Sequence, residues 1–393
     1  MNIRPGAALR SATLIPSDYR LRLPGPTAVP ERVRMASAQP MISHRGPEFR
    51  ALLGECVEIL RTIFGTRQPI FTLGTSGTGA MEAALANVLS PGDALLVLSN
   101  GQFGECFASI GESLGARVDR LDIPWGEAPD PTAAAERLKT QPYRAVACVH
   151  NESATGVVAD VAAIGALLRD TPALLVVDSV SGAGGLEVRM DDWGIDVLVG
   201  ASQKALMCPP GLAFAAVSPK AMAVIEATRG ARFFLDFRKA KASFDKSETP
   251  FTPPVSLVFA LREALAMIDE EGLPAVFARH RRMAAALRAG FEALGFAMFP
   301  TAPLLSSTVT VGVVPDGLEG GAIVRHVHAR YRTVIAGQRT KLSGRVIRIG
   351  TMGAIAAGDV LTDLHYLECT LRELGRAPPV GAGTNAAAKV LAA

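Results

Sequence analysis

The sequence has no Cys-x-x-Cys pair, and its five cysteines (Cys56, Cys106, Cys148, Cys208 and Cys369) are odd in number and widely scattered. Neither a disulfide framework nor a zinc site is implied, and no metal is expected. No run of about 18 apolar residues occurs, so a membrane-spanning helix is not expected. Charge of one sign is also lacking: 40 Lys+Arg stand against 37 Asp+Glu, a net charge of +3. That excess is too small for a protein dedicated to nucleic acid, whose affinity rests on clustered phosphate contacts. The N-terminus (MNIRPGAALRSATLIPSDYR) lacks the apolar stretch of a secretory signal. It has three Arg and few acids, which leaves a weak organellar presequence as the alternative to the expected cytoplasmic location. Aromatic residues make up only 6%, and Trp125 and Trp193 read as packing residues. His326-x-His328 would not share one face of a helix.

What the chain has in quantity is apolar residues, 49% of 393, enough for a large core. Short continuous apolar runs at Pro69–Leu73, Ala94–Leu98, Ala145–His150, Ala173–Asp178 and Ile195–Gly200 alternate with helical patterns at Gly79–Leu89, Phe103–Leu114, Pro131–Lys139 and Asp160–Leu168. Such alternation predicts α/β architecture with a mostly parallel sheet flanked by helices. Fully buried parallel strands are apolar throughout. Two long helices follow, over Ser256–Glu271 and Ala275–Leu294, after a polar, proline-rich traverse at Asp236–Pro254. Later strands at Ser307–Val314 and Arg345–Gly350, with helices at Gly320–Arg332 and Gly358–Leu374, predict a smaller α+β domain. The expected divisions are an N-terminal extension (1–20), a large domain with an N-terminal arm (21–255), a helical connection and small C-terminal domain (256–375), and a tail (376–393) that is mobile or, alternatively, forms a short terminal helix. The basic run Arg279–Arg282 reads as a solvated helix face.

Three clusters stand where sites form in such sheets, at the C-terminal ends of strands. Leu73-Gly74-Thr75-Ser76-Gly77-Thr78-Gly79 opens a helix with small residues. Its free N–H groups and dipole would favour an anion such as phosphate, although an ordinary strand–helix turn has the same composition. It is neither a Walker loop nor a dinucleotide fingerprint. Asp178 ends a wholly apolar strand, a costly place for a carboxylate without a cationic partner. Lys204 lies between two apolar segments, where desolvation would lower its pKa and make it a nucleophilic amine. A turn carboxylate and a snorkelling surface lysine are the plain alternatives for each alone. Together the three supply what pyridoxal phosphate needs: a phosphate cradle, a carboxylate for the pyridine nitrogen and an amine for the Schiff base.

An ordered set of motifs sharpens this reading. Pro24-Gly25-Pro26-Thr27, Ser76-Gly77-Thr78-Gly79-Ala80-Met81-Glu82, Gly101-Gln102-Phe103-Gly104, His150-Asn151-Glu152-Ser153-Ala154-Thr155-Gly156, Asp178-Ser179-Val180-Ser181, Gly200-Ala201-Ser202-Gln203-Lys204 and Arg348-Ile349-Gly350-Thr351-Met352-Gly353 follow one another in the chain. With these the sequence resembles the fold-type I, class V aminotransferases, near those acting on alanine or serine and glyoxylate. The resemblance implies pyridoxal 5'-phosphate as cofactor, with Lys204 as the Schiff-base lysine and Asp178 as partner of the pyridine nitrogen. It places Ser76, Gly77, Thr78 and Gln203 on the phosphate. It stacks Phe103 on one ring face, presses Val180 on the other and brings Ser153 to the ring hydroxyl region or Asp178. Arg348 becomes the clamp on the substrate α-carboxylate, with Gly25 beside it. A guanidinium fork suits a carboxylate. Thr252 matches a phosphate contact supplied by the neighbouring subunit of a homodimer.

The implied activity moves an amino group from alanine, serine or aspartate to glyoxylate or pyruvate. A pyridoxamine–pyruvate transaminase, a lyase or desulfurase, and a non-catalytic protein binding the same cofactor are the alternatives. Desulfurase chemistry would need a cysteine on the loop before Arg348, which has none. Two positions depart from the family pattern: Arg339, an extra cation before the clamp, and Thr351, where histidine is common. Arg339 reads either as exposed and inert or as a receptor for a second substrate carboxylate.

Overall fold

A computed structural model describes residues 19–301, 303 and 305–393. The expected N-terminal extension and any presequence thus lie almost wholly outside the described residues. A seven-stranded sheet forms the centre, in the order Ile70–Leu73, Ala213–Val217, Val197–Ala201, Leu174–Asp178, Ala145–Val149, Ala94–Ser99 and Arg117–Asp122. Ala213–Val217 is antiparallel to both its neighbours, and the other pairings are parallel. Alternate side chains of each strand feed opposite faces. Leu96, Leu98, Val146, Leu175, Val177 and Leu198 pack under the helices Pro47–Phe64 and Val255–Glu271. Leu95, Val97, Ala147, Val176, Val197 and Val199 pack under the helices Gly77–Val88 and Gln102–Ser113. With both faces covered, the inner strands are buried throughout, which is why they read as continuous apolar runs.

Two strands escaped the apolar-run pattern. Arg117–Asp122 (RVDRLD) is a partly exposed edge strand with polar residues. Ala213–Val217 (AFAAV) is short and alanine-rich after Pro209-Pro210-Gly211. The Asp236–Pro254 segment is not a plain traverse. Asp236 caps a helix at Phe237–Phe244, accepting from Arg238 N, and Phe237 and Ala240 are buried against the sheet's covering layer.

The C-terminal part of the chain carries a three-stranded antiparallel sheet, Ala297–Met298, Val309–Val313 and Val346–Gly350. Helices Leu273–Ala293, Gly320–Tyr331 and Ala357–Glu373 share its core. In the tail the helical alternative is the one observed. Ala382–Ala392 is a helix docked on Leu273–Ala293, with Ala387 fully buried and Gly383 against Leu294. Its alanine-rich composition favours helix once an apolar face has a surface to cover. The Arg279–Arg282 run is not merely a solvated face. Arg279 pairs with Glu271 and donates to the carbonyls of Gly353 and Ile355, and His280 is fully buried between Gly185 O and Gly353 O.

The N-terminal arm contacts elements far apart in the chain. Arg20–Leu21 pairs with Thr333–Val334 of the C-terminal part, and Gly350 N donates to Arg22 O. Arg20 and Arg22 both pair with the buried Asp363. The chain then crosses to the central sheet, where Thr27 N donates to Gln203 O. No helix among the described residues is long and apolar enough to cross a membrane.

Candidate active site

A cavity of about 270 Å³ opens at the C-terminal ends of the central strands. Gly25, Ser76, Gly77, Thr78, Phe103, Ser153, Asp178, Val180, Gln203 and Lys204 all line it. These residues, drawn from six of the motifs, converge on one space.

The anion end is the start of the Gly77–Val88 helix. Ser76 is its N-cap and accepts from Gly79 N at 3.2 Å, which leaves its hydroxyl hydrogen to donate. The N–H groups of Gly77 and Thr78 fall in the first turn, before any intrahelical bond can reach them. Glycine is required by close approach: a Cβ on Gly77 would lie 2.9 Å from Val180 Cγ2, and one on Gly79 would lie 2.0 Å from Thr75 Oγ1. Gln203, on the loop after Val197–Ala201, also faces the cavity, and its buried Oε1 has no protein partner.

Asp178 is 4% exposed at the end of its strand. The strand continues through His150 N, which donates to Asp178 O, and Val180 N donates to Asp178 Oδ1 at 2.7 Å. Burial pushes the carboxyl up to about 6, opposed by the Val180 N–H and the Lys204 ammonium. Lys204 follows the next strand in a compact loop closed by Cys208 N to Ser202 O and Met207 N to Lys204 O. Its Nζ donates to Pro24 O at 2.8 Å. Burial lowers the amine to about 8, against the raising effect of Asp178. Gly25 has φ +127°, and a Cβ there would lie 2.4 Å from Lys204 Cδ, so only glycine lets the arm pass over the lysine.

Arg348 stands on Val346–Gly350, just behind this lining. Its Nε and Nη2 donate to Gly337 O at 3.0 and 2.8 Å, and Nη1 donates to Ser153 O at 2.9 Å. Three of the five guanidinium hydrogens are thereby used, and two remain for an anion. Burial lowers its pKa, with Glu152 acting the other way.

Other residues singled out in the sequence lie outside the lining of this cavity. Thr252 lines a separate recess with Gly74, Phe234, Phe251 and Leu257, its Oγ1 3.4 Å from His44 Nε2. Arg339 is exposed at the loop surface and is not among the lining residues. Thr351 is buried and donates to Ser307 O. His150 bonds Ser179 Oγ at 2.9 Å and meets Trp193 edge-on. Among the described residues no group of His, Cys, Asp and Glu is placed to hold a metal. Sequence reading passed over Glu152, a fully buried acid inside a quoted motif. Its signal was a carboxylate between a buried strand and a turn, with Gly101 opposite.

The residues present fit pyridoxal phosphate. A first-turn N–H cradle suits the phosphate. The buried Asp178 uses only Oδ1 on a protein donor. A desolvated amine shares the same space.

Residues 31–352 match the family described as aminotransferase class-V. The chain is 37% identical to the L-aspartate–glyoxylate aminotransferase of Paracoccus denitrificans, over 94% of this chain and 96% of that one. It is 38% identical to a protein of Anabaena cylindrica named the soluble hydrogenase 42 kDa subunit, over 94% and 98%. Among solved structures, the alanine–glyoxylate aminotransferase of Nostoc sp. superposes with a TM-score of 0.91 at 30% identity, covering 95% of this chain and 100% of that one.

Proposed function

The chain belongs to the class-V aminotransferase family and is a transaminase dependent on pyridoxal 5'-phosphate; from that premise we propose that it carries the amino group of alanine, serine or aspartate to glyoxylate or pyruvate. One observation carries the proposal. The Lys204 amine, the Asp178 carboxylate and the Gly77–Thr78 helix start line one cavity, with Arg348 held at its wall through Ser153.

When bound, the cofactor supplies an electron sink for the bond broken at the substrate α-carbon. The residues of this chain do the rest. The Gly77 and Thr78 N–H groups and the Ser76, Thr78 and Gln203 side chains hold the phosphate. Asp178 as anion keeps the proton on the pyridine nitrogen, and Phe103 and Val180 confine the ring faces. Lys204 Nζ takes the α-carbon proton and returns it on the other side of the exchange. With its pKa near 8, about a tenth of the lysine is neutral at pH 7. An ordinary lysine would be neutral about once in 3000. Pro24 O aims the free amine. Arg348 binds the α-carboxylate through its two uncommitted hydrogens, with Gly337 O and Ser153 O holding the guanidinium in plane.

Thr252 is proposed to complete the phosphate site of a second copy, making the working unit a homodimer. Exposed Phe233 and Phe234 beside its recess support this, since apolar patches of this kind mark contact surfaces.

The test is single-turnover mixing of the purified, cofactor-loaded protein with a panel of amino acids, followed in the visible spectrum. Serine, alanine or aspartate should change the cofactor band, and glyoxylate or pyruvate should restore it. A band indifferent to every amino acid overturns the proposal. Turnover of free pyridoxamine with pyruvate instead would assign the pyridoxamine–pyruvate alternative.

A further inference from the structure

Glu152 stands behind the cavity and has no part in the chemistry above. Its side chain is fully buried between the Gln102–Ser113 helix and the turn that follows Asn151–Glu152. Oε2 accepts the Phe103 N–H at 2.8 Å and the Gly104 N–H at 3.3 Å, while Oε1 accepts the Ala154 N–H at 3.0 Å. Gly101 makes the room: a Cβ there would lie 2.2 Å from Glu152 Cγ. One carboxylate therefore joins the start of the helix that carries Phe103 to the turn that carries Ser153. Ser153 O in turn holds Arg348 Nη1 at 2.9 Å. The charged and titratable groups that sense Glu152 are Asp178, Lys204, Arg348 and Cys106.

We infer that Glu152 is a positioning residue that couples the two halves of the site: its carboxylate sets the Phe103 wall and the Ser153–Arg348 wall in one register. The inference rests on the aminotransferase reading. The chemistry of the side chain supports it. A carboxylate offers acceptors on both oxygens and can take three N–H donors at once, beside a helix start that favours an anion. An amide has one acceptor oxygen. In Glu152→Gln the NH₂ must face either Ala154 N–H or the Phe103 and Gly104 N–H pair, so one wall loses its tether while the other keeps it. A donor left facing a donor in a buried site is displaced rather than tolerated.

The test compares wild type, E152Q, R348Q and E152Q/R348Q. Two readouts are taken: KM and kcat with the amino acid and oxo acid that the wild type uses, and the rate of cofactor release on dilution without substrate. E152Q should raise both KM values about tenfold, change kcat by no more than about threefold, and speed cofactor release about tenfold. The KM effect should vanish in the R348Q background, because Glu152 acts on the substrate through Arg348. A purely structural role would add its effect to that of R348Q. Additive KM effects, or no change in either readout, overturn the coupling. If E152Q gives no cooperative melt, E152D is measured in the same way, since it keeps the anion but withdraws it by one methylene. If neither variant folds, Glu152 is a folding residue and the inference is overturned. Cofactor release needs no turnover, so failure of the aminotransferase reading, seen as an inactive wild type, is distinguishable from failure of this one.

Discussion

The two walls of the cavity are built differently. On the sheet side, Ser76–Thr78, Asp178–Val180 and Gln203–Lys204 each follow directly on a buried strand. Short-range bonds hold them, such as Val180 N to Asp178 Oδ1 and Cys208 N to Ser202 O. On the other side, contacts span the chain: Lys204 Nζ reaches Pro24 O across 180 residues, and Arg348 Nη1 reaches Ser153 O across 195. The first wall is rigid because the sheet continues beneath it. The second exists only while the arm and the C-terminal part stay docked. In the proposed assignment the cofactor's contacts fall chiefly on the first wall and the substrate carboxylate on the second, so damage to each should have a different signature.

The largest effect should come from the first wall. K204M removes the amine that moves the proton and should lower kcat by at least about 10³-fold in steady-state assays. The same variant has a stability signature. Below pH 8 both folded and unfolded wild type carry the ammonium and its burial cost is full. Above 10.5 both are neutral and the cost is gone. Relative to K204M, wild type without cofactor should therefore gain about 3 kcal/mol between pH 8 and 10.5 in urea melts.

D178N should come next, with kcat reduced about 10²–10³-fold, since one preorganised charge is lost and the backbone bond to Val180 can persist. Its stability effect has the opposite pH window. The Asp178 carboxyl is raised from 3.8 to about 6, so its burial cost appears as pH rises through that range and is full above it. Cofactor-free D178N should thus gain on wild type in urea melts above pH 6, and not below pH 4.

R348Q tests the second wall. KM for both substrates should rise about 10–100-fold, while the cofactor's absorbance band stays where it is. A shifted band in R348Q would show that the two walls are not separable. The smallest effect should follow deletion of residues 377–393. Loss of the buried Ala387 contact should lower Tm by about 2–4 °C in a thermal scan and leave kcat near wild type.

The sheet-side wall was the legible one. Asp178 and Lys204 stand out because a charged residue beside a continuous apolar run is costly and needs a reason. Glycine clusters at Gly77 and Gly79 are read the same way, through a backbone that something must approach. Strands that are partly exposed or alanine-rich, Arg117–Asp122 and Ala213–Val217, carried no such contrast. The Ala382–Ala392 helix stayed one of two readings because its composition suits both a mobile tail and a helix, and only the Leu273–Ala293 surface decides between them. Glu152 was hidden for a related reason. Nothing in its neighbours along the chain reveals that Phe103 and Gly104 come to it from another segment 48–49 residues away.

By itself the sequence determined the α/β class, the order of the central strands' apolar runs and the chemical types gathered at their ends. Those follow from local periodicity and from the cost of burying charge, both of which act within a few residues. Tertiary structure alone decided which of those groups share a cavity, that Pro24 O meets the lysine, that Gly337 and Ser153 hold the arginine, and that Thr252 faces elsewhere. Such contacts depend on how distant segments close on one another, and closure is set by the summed packing of the central sheet, the C-terminal part and the arm rather than by any local pattern.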